Sequence, residues 1–591
     1  MCGIAGIIDC NRLVSEMEIR KMTDALRHRG PDDEGCWLNQ NNTVGLGHRR
    51  LSFLDLSEKG RQPIGNESGS IQLTFNGEIY NYAELKDELT RCGHSFRSNT
   101  DSEVLAHAYE QWGTALLNKL TGMWAFALWD ENKQLLFAAR DRFGIKPFYY
   151  GKHNGRFVFA SEIKAIAALP DYPRTLNITS FADYFNYRYV PPPNTIWNEV
   201  QKLPAAHYLI WQGGKISLHE YWTLKSENRG TSHQALVEEI DALLLDSVKQ
   251  HAVSDVPVGA FLSGGYDSSA IVYYLHRLKE PLQTFSIGFR NWENSEHLYG
   301  EIVAQQFGSR HQTYLVDDAH LELMDHLSWV YDEPLADIST LPTYMVSREA
   351  AQSVKAVMSG EGSDEIFVGY TWQRAFRANS RWQNFRQLLS GNRGNAIVSY
   401  YAQAMAMGRF DSEEQKKLLH PSLHSAINPD SDWYYAKHFN KKLSPLKAIQ
   451  LMDIKCFMGE LVLTKIDRAS MANSLEVRVP FLHHRLFEKI FSLREEAYNN
   501  PAQTKWLLYE QLKNVLPHEI LQRKKQGFVG PDIYYQNMSW YKSVLKDSAL
   551  VKDGLINRQA LDEYIFKKES WKLWKVTVME LWYKKWIAHG A

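Results

Sequence analysis

Ser263-Gly264-Gly265-Tyr266-Asp267-Ser268-Ser269 lies between an apolar run, Val256 to Leu262, and the segment Ala270-Ile271-Val272-Tyr273-Tyr274-Leu275. The run reads as a buried strand and the segment as a helix. A strand, a glycine turn and a helix together make a phosphate site. Gly264 and Gly265 let backbone N–H groups approach an anion, Ser263, Ser268 and Ser269 add hydroxyl donors, and the helix N-terminus adds partial positive charge. The loop lacks the lysine of the GxxxxGKS/T pattern. Asp267 is the informative residue, because a carboxylate beside phosphates is repulsive unless a metal ion bridges the two charges. The loop therefore predicts a nucleotide bound with magnesium.

The surrounding chain alternates strand and helix. Thr284 to Phe289 reads as a second strand and Leu298 to Phe307 as a helix, which together predict an α/β nucleotide domain with a parallel sheet. Ligands of such sheets sit at the carboxyl ends of the strands, so Ile287 and Gly288 are expected beside the nucleoside and Leu262 beneath the phosphate loop. A third strand, Ala356-Val357-Met358, runs into Ser359-Gly360-Glu361-Gly362-Ser363-Asp364-Glu365. Three carboxylates crowded into that turn are costly without cations.

The 591 residues, 44% hydrophobic and 23% charged, are enough for two or more packed domains. A net charge of −1 without a long basic run argues against a nucleic-acid or anionic-membrane surface. Five cysteines, at 2, 10, 36, 92 and 456, form no CxxC pair, which argues against a disulfide framework or a zinc ribbon and fits a reducing cytoplasm. No apolar run reaches bilayer length, and Asp9, Arg12 and Glu16 interrupt any signal-like stretch, so no membrane partner is expected and the mature chain should begin almost at residue 1.

The first residues, Met1-Cys2-Gly3-Ile4-Ala5-Gly6-Ile7-Ile8, read as a strand headed by a thiol. Removal of Met1, expected before a small residue, leaves Cys2 with a nucleophile and a free α-amine. A thiol titrates near ~8.5 and an α-amine near ~7.7 to 8.0, so the amine can take the thiol proton near neutral pH.

Four strings follow: Arg27-His28-Arg29-Gly30-Pro31-Asp32, Gly47-His48-Arg49-Arg50-Leu51-Ser52, Asn76-Gly77-Glu78-Ile79-Tyr80-Asn81 and Thr100-Asp101-Ser102-Glu103. With Cys2 they resemble the glutaminase domain of class II amidotransferases, an αββα sandwich of the N-terminal-nucleophile (Ntn) hydrolases. Glutamine is a zwitterion: Arg50 is the candidate for its α-carboxylate, and Asp101 and Glu78 for its α-ammonium. The resemblance assigns the oxyanion to the Asn76 side chain and the Gly77 backbone N–H. Gly122 to Asp130, Leu135 to Asp141, Phe143 to Tyr150 and Phe157 to Glu162 continue the strand pattern, their aromatics read as core. Pro191-Pro192-Pro193 reads as a rigid extended connection, and after Gly213-Gly214 the chain turns helical from about Ser232. The boundary lies near 205 to 225, giving a glutaminase domain over 2–210 and a synthetase domain over 211–591.

In the second domain the SGGxDS loop resembles that of enzymes that cleave ATP between its α and β phosphates (the PP-loop), and SGEGSDE resembles the asparagine synthetase family. The resemblance implies ATP contacts from Ser359 and Gly360, magnesium on Asp267 and Asp364, and Glu361 acting in the acceptor site. It expects Asp332-Glu333-Pro334-Leu335-Ala336-Asp337 to line the acceptor pocket, Lys465 to Ala472 and Ser474 to Leu482 to scaffold a helical layer, and Lys525 of Arg523-Lys524-Lys525-Gln526-Gly527 to offset charge on the α-phosphate. Tyr266, His483 and Phe528-Val529-Gly530-Pro531 depart from the family pattern, which leaves the acceptor open.

The implied activity is glutamine- and ATP-dependent amidation of a carboxylate through an acyl-adenylate, with Mg²⁺ and aspartate as default acceptor; the sequence leaves the oligomeric state open, members of the family often being homodimers. The rivals are the same chemistry on a sugar uronate or a biosynthetic acid, a tRNA-modifying ATP pyrophosphatase, a storage protein, and a ring-closing β-lactam synthetase-like enzyme. The missing basic surface and cysteine pairs oppose the second, the intact ATP loop the third, and the retained Cys2 set the last.

Overall fold

The computed structural model describes residues 2–290, 292–317, 319–376, 393–523 and 526–588. Two six-stranded antiparallel sheets build the N-terminal part. The first runs, in spatial order, Val200–Lys202, Tyr149–His153, Arg156–Ala160, Gly3–Asp9, Val44–Arg50 and Asp33–Leu38; the second runs Lys215–Glu220, His207–Gln212, Leu135–Arg140, Gly122–Asp130, Ile71–Ile79 and Ile64–Gly65. Their inner faces meet through Ile4, Ile8, Leu46, Ala125, Ala127, Trp129 and Phe159. The helix Glu16–Asp24 covers the first sheet, and helices Tyr82–Arg91 and Asp101–Trp112 cover the second. This is the four-layer sandwich expected of an Ntn hydrolase. The prolines at 191–193 precede a strand of the first sheet, so they lie inside this body, and the hairpin closing the second sheet straddles residue 210.

The second body is a five-stranded parallel sheet in the order Arg310–Val316, Gln283–Phe289, Val258–Phe261, Ala356–Met358 and Glu476–Arg478, with a helical layer after it. The strand and helix flanking the glycine loop form as their apolar pattern dictates, the helix running Tyr266–Arg277. Two expectations change. Ser474 to Leu482 contains the sheet's edge strand, paired through Val357 and Val477, rather than only helical scaffold. Residues 141–148 are a buried loop and not a continuous strand, because the Asp141 carboxylate gathers the N–H groups of Phe143 at 3.0 Å, Ile145 at 2.9 Å and Lys146 at 2.9 Å. Among the described residues, no helix is long and apolar enough to cross a membrane.

What joins the two bodies is a buried ionic network. Arg29 reaches Glu162 Oε1 at 2.6 Å and both oxygens of Asp467, at 2.9 and 3.1 Å. Glu162 also meets Lys164 at 2.5 Å and pairs with Arg468 at 2.9 Å. Asp332 and Glu333, expected in an acceptor pocket, belong to this interface instead: Asp332 accepts the Lys164 N–H at 3.1 Å, and Glu333 pairs with Lys202 at 3.0 Å. Phe143 packs on Phe487 with ring centroids 4.7 Å apart.

Removing one partner of a buried pair strands the other's charge, which costs ~3–5 kcal/mol, whereas exposed pairs contribute ~0–1 kcal/mol. Asp467→Ala is therefore expected to lower stability by about that larger amount in urea unfolding followed by tryptophan fluorescence. Glu16→Ala, which breaks the exposed 2.7 Å pair with Arg20, should change it by less than about 1 kcal/mol. Equal effects would show that the interface does not depend on the network.

Candidate active sites

The first site forms where strand Gly3–Asp9 begins. Cys2 is 7% exposed; its N–H donates to Asn76 Oδ1 at 2.9 Å, and its carbonyl accepts from Arg29 Nε at 3.0 Å. With Oδ1 committed, Asn76 Nδ2 is left buried with no hydrogen-bond partner. An orphaned buried donor costs ~1–3 kcal/mol, so it is stabilised only when an acceptor arrives, as an oxyanion would. Burial pushes the Cys2 thiol up, and the Leu51 N–H and the Arg50 charge pull it back. Gly77 is required for space: a Cβ there would stand 2.1 Å from the Met123 carbonyl oxygen on the paired strand.

Of the expected glutamine ligands, Arg50 and Glu78 stand near enough for their charges to act on this thiol. The Arg50 guanidinium donates to the carbonyls of Ser57 at 3.0 Å, Leu54 at 3.1 Å and Asp55 at 2.6 Å, which fixes the loop after its strand. Asp101 heads its helix and accepts the Ile79 N–H at 2.9 Å. Burial raises both Asp101 and Glu78 above the usual carboxylate range. Sequence reasoning missed Glu476 and Arg478. These fully buried residues come from the edge strand of the other domain, and Arg478 stands 2.6 Å from Glu476 and 3.5 Å from Glu78. Their spacing of two places both side chains on one face of a strand, a signal readable once that segment is taken as strand.

The second site is a cleft of about 750 Å³ at the carboxyl ends of the parallel strands. Leu262, Ser263, Gly264, Gly265, Asp267, Ser268, Ile287, Ser359, Gly360, Glu361 and Asp364 all line it. Ser269 does not: it is fully buried behind the loop. Gly264 adopts φ +73°, and a Cβ there would meet the Tyr299 backbone at 2.5 Å. Lys525 and Lys524 lie outside the described residues.

The three crowded carboxylates separate. Glu361 is raised by burial against the pull of Ser359 and Lys465, and its Oε2 is buried without a hydrogen-bond partner. Glu365 turns inward to accept the Tyr370 hydroxyl at 2.7 Å, and burial pushes it up to about 8. Asp364 meets Lys505 at 2.7 Å, and the same ammonium sits 2.5 and 2.6 Å from the Asp267 oxygens. Two carboxylates brought to the same ammonium set hard oxygen donors close together in the cleft, so these residues fit a divalent hard cation. Lys505 was not anticipated; a lysine at a helix N-cap carries no motif, and its left-handed backbone, φ +51°, is visible only in the fold.

Other residues frame the cleft. Lys465, expected as scaffold, lines it and donates to Ser339 at 2.6 Å beside Asp337. Arg523 donates to the Ser263 carbonyl at 3.0 Å, and Tyr266 donates to the Leu521 carbonyl at 2.6 Å, so the phosphate loop and the 521–523 segment brace each other. His483 is buried away from the cleft, where burial lowers it to about 4.

Comparison with known proteins matches residues 1–222 to a glutamine amidotransferase domain and residues 239–584 to asparagine synthase. The chain belongs to the asparagine synthase family. It is 32% identical to asparagine synthetase (glutamine-hydrolyzing) 1 of Bacillus subtilis, over 99% of this chain and 96% of that one. Asparagine synthetase (glutamine-hydrolyzing) 3 of the same organism is 33% identical, over 96% and 93%. A protein named amidase chry2 from Gibberella zeae is 29% identical, over 95% and 94%. The protein is thus a glutamine-dependent enzyme of the ATP-dependent asparagine synthase type.

Gly77→Ala keeps the N–H, but its Cβ would push the strand off the Met123 carbonyl and carry that N–H out of line, so glutamate release from glutamine should fall by at least ~100-fold, as for a lost oxyanion donor. Circular dichroism should stay close to that of the parent. Glutamate release within about threefold of the parent would mean the strand tolerates the side chain and the donor lies elsewhere.

Proposed function

We propose that this protein amidates the side-chain carboxylate of aspartate, using ammonia cut from glutamine and ATP as activating substrate. The observation that supports the reading most directly is the pairing, in one chain, of a buried Cys2–Asn76 cradle with a cleft whose glycine loop and two carboxylates share Lys505.

With Met1 removed, the Cys2 amine accepts the thiol proton while staying hydrogen-bonded to Asn76 Oδ1. The thiolate attacks the glutamine side-chain carbonyl, and Asn76 Nδ2 and the Gly77 N–H receive the oxyanion. The Cys2 ammonium returns its proton to the departing nitrogen as the C–N bond breaks, ammonia leaves, and water hydrolyses the thioester to glutamate. In the cleft the acceptor carboxylate attacks the α-phosphorus and pyrophosphate leaves. Ammonia then attacks the acyl carbon of the acyl-adenylate, AMP departs, and Glu361, held above its usual range, accepts the surplus proton. Asp267 and Asp364 would hold Mg²⁺, which supplies charge neutralisation for the phosphates. Lys505 keeps the two carboxylates together, and Lys525 is assigned to the α-phosphate.

Activation is needed because a carboxylate anion resists nucleophiles. Enclosure is needed because free ammonia is mostly protonated at neutral pH. The buried interface between the two sites, closed by Arg29 and Asp467, supports delivery inside the protein.

Pyrophosphate release with glutamine, ATP and Mg²⁺ should require aspartate and match asparagine formed. Aspartate inert while a sugar uronate or another acid restores release would replace the acceptor and keep the chemistry. Cys2→Ala should abolish glutamine-driven product and keep synthesis from ammonium; loss of both would refute two separable sites. Lys505→Met should reduce pyrophosphate release by ~10²–10³-fold and leave glutamate release nearly unchanged, and near-parent pyrophosphate release would remove Lys505 from the mechanism.

A further inference from the structure

A cluster in the glutaminase domain lies apart from both sites. Glu67 follows the strand Ile64–Gly65, His94 follows the helix Tyr82–Arg91, and His107 and Glu110 stand three apart on the helix Asp101–Trp112. One potential ligand atom from each lies within 4.8 Å of all the others. We propose that these four residues bind a divalent first-row cation of the zinc type. Two imidazoles with two carboxylates form a donor set that suits Zn²⁺ in a closed tetrahedron.

The decisive feature is His107. Its side chain is 1% exposed, yet neither ring nitrogen has a hydrogen-bond partner. Nδ1 stands 3.5 Å from Glu67 Oε2 and 4.0 Å from Glu110 Oε2, while Nε2 faces Glu103 at 3.9 Å. A buried imidazole without a partner is costly, and ordinary ion pairing would draw the carboxylates to bonding distance. A tetrahedral Zn²⁺ with ligand bonds of ~2.0–2.2 Å sets ligand atoms ~3.3–3.6 Å apart, so the atoms now 3.5 to 4.0 Å from one another would draw in by up to about half an ångström on binding. The cation would give His107 Nδ1 the partner it lacks and draw Glu67 and Glu110 together around it.

The other three ligands are already oriented from behind. Glu67 Oε1 accepts the Ser95 N–H at 2.9 Å, leaving Oε2 toward the cluster. Glu110 Oε2 accepts from Asn66 Nδ2 at 3.2 Å. His94 engages Gln111 through Nε2 at 3.1 Å and presents Nδ1, 3.9 Å from Glu110. Glu103, anchored by Ser98 and Arg97 N–H groups at 2.7 and 2.9 Å, is placed to hold the His107 tautomer, the outer-shell role that carboxylates play behind metal-bound histidines. Four protein ligands leave no open position, so the ion would be structural. It would tie the segments around residues 67 and 94 to the helix whose first residue is Asp101.

The test is a Co²⁺ titration of the full chain, stripped with chelator and kept in excess Mg²⁺ so that the cleft carboxylates are occupied. One equivalent of Co²⁺ should develop the intense visible bands of a tetrahedral site and be displaced by Zn²⁺. His107→Gln and the half-buried His94→Gln should each weaken binding by at least ~10-fold. The absence of tetrahedral bands in the parent protein, or an unchanged affinity in the folded His94→Gln variant, would overturn the site.

Discussion

Arg29 is the contact on which the two-domain arrangement turns. Its guanidinium is fully buried and divides its donors among the Cys2 carbonyl, Glu162 and Asp467. A charge in that position is tolerable only if all its N–H groups are satisfied, so the nucleophile, the first sheet and the second domain must be in place together. The remaining cations and carboxylates, Lys164, Arg468 and Asp332, extend the same constraint across the interface. Such pairs add little net stability over apolar packing, but they penalise any displacement of one domain against the other.

The cleft uses the opposite strategy. Asp267 and Asp364 both meet the Lys505 ammonium, which sets their oxygens close together in the cleft. In the proposed function the glycines let the backbone approach phosphates, and the acidic pair would hold the cation that accompanies them. Glu361 and Glu365, four residues apart, both border the cleft, but Glu365 is spent on the Tyr370 hydroxyl while Glu361 keeps an oxygen without a hydrogen-bond partner. The glutaminase site shares this economy: Asn76 holds Cys2 with one end of its amide and keeps the other end unspent.

Much of this was readable in the chain. The glycine loop, the carboxylate turn and the strings around Arg50, Asn76 and Asp101 are local, so their residue types and spacing state both the backbone shape and the chemistry. The apolar periodicity placed Tyr266–Arg277 and Gln283–Phe289 within a few residues of their observed bounds. Where reading failed, the cause was a contact or a side-chain direction that leaves no periodic trace in the sequence. Asp332 and Glu333 looked like pocket residues because their neighbours are. Residues 141–148 looked like strand because a single carboxylate bending the loop has no periodic signature. Ser269 looked like a phosphate ligand because a serine's direction on a helix is invisible in a string of letters.

Composition and motif thus define the family, the two chemistries and most of the groups that carry them, since each motif is a continuous stretch whose backbone needs are written in its own residues. Folding alone brings Lys505 between Asp267 and Asp364, Arg478 beside Glu78 and Arg29 onto Asp467, each more than a hundred positions away in sequence. A charge pairs with whatever the packing sets beside it at a few ångströms, and Coulomb's law takes no account of sequence separation.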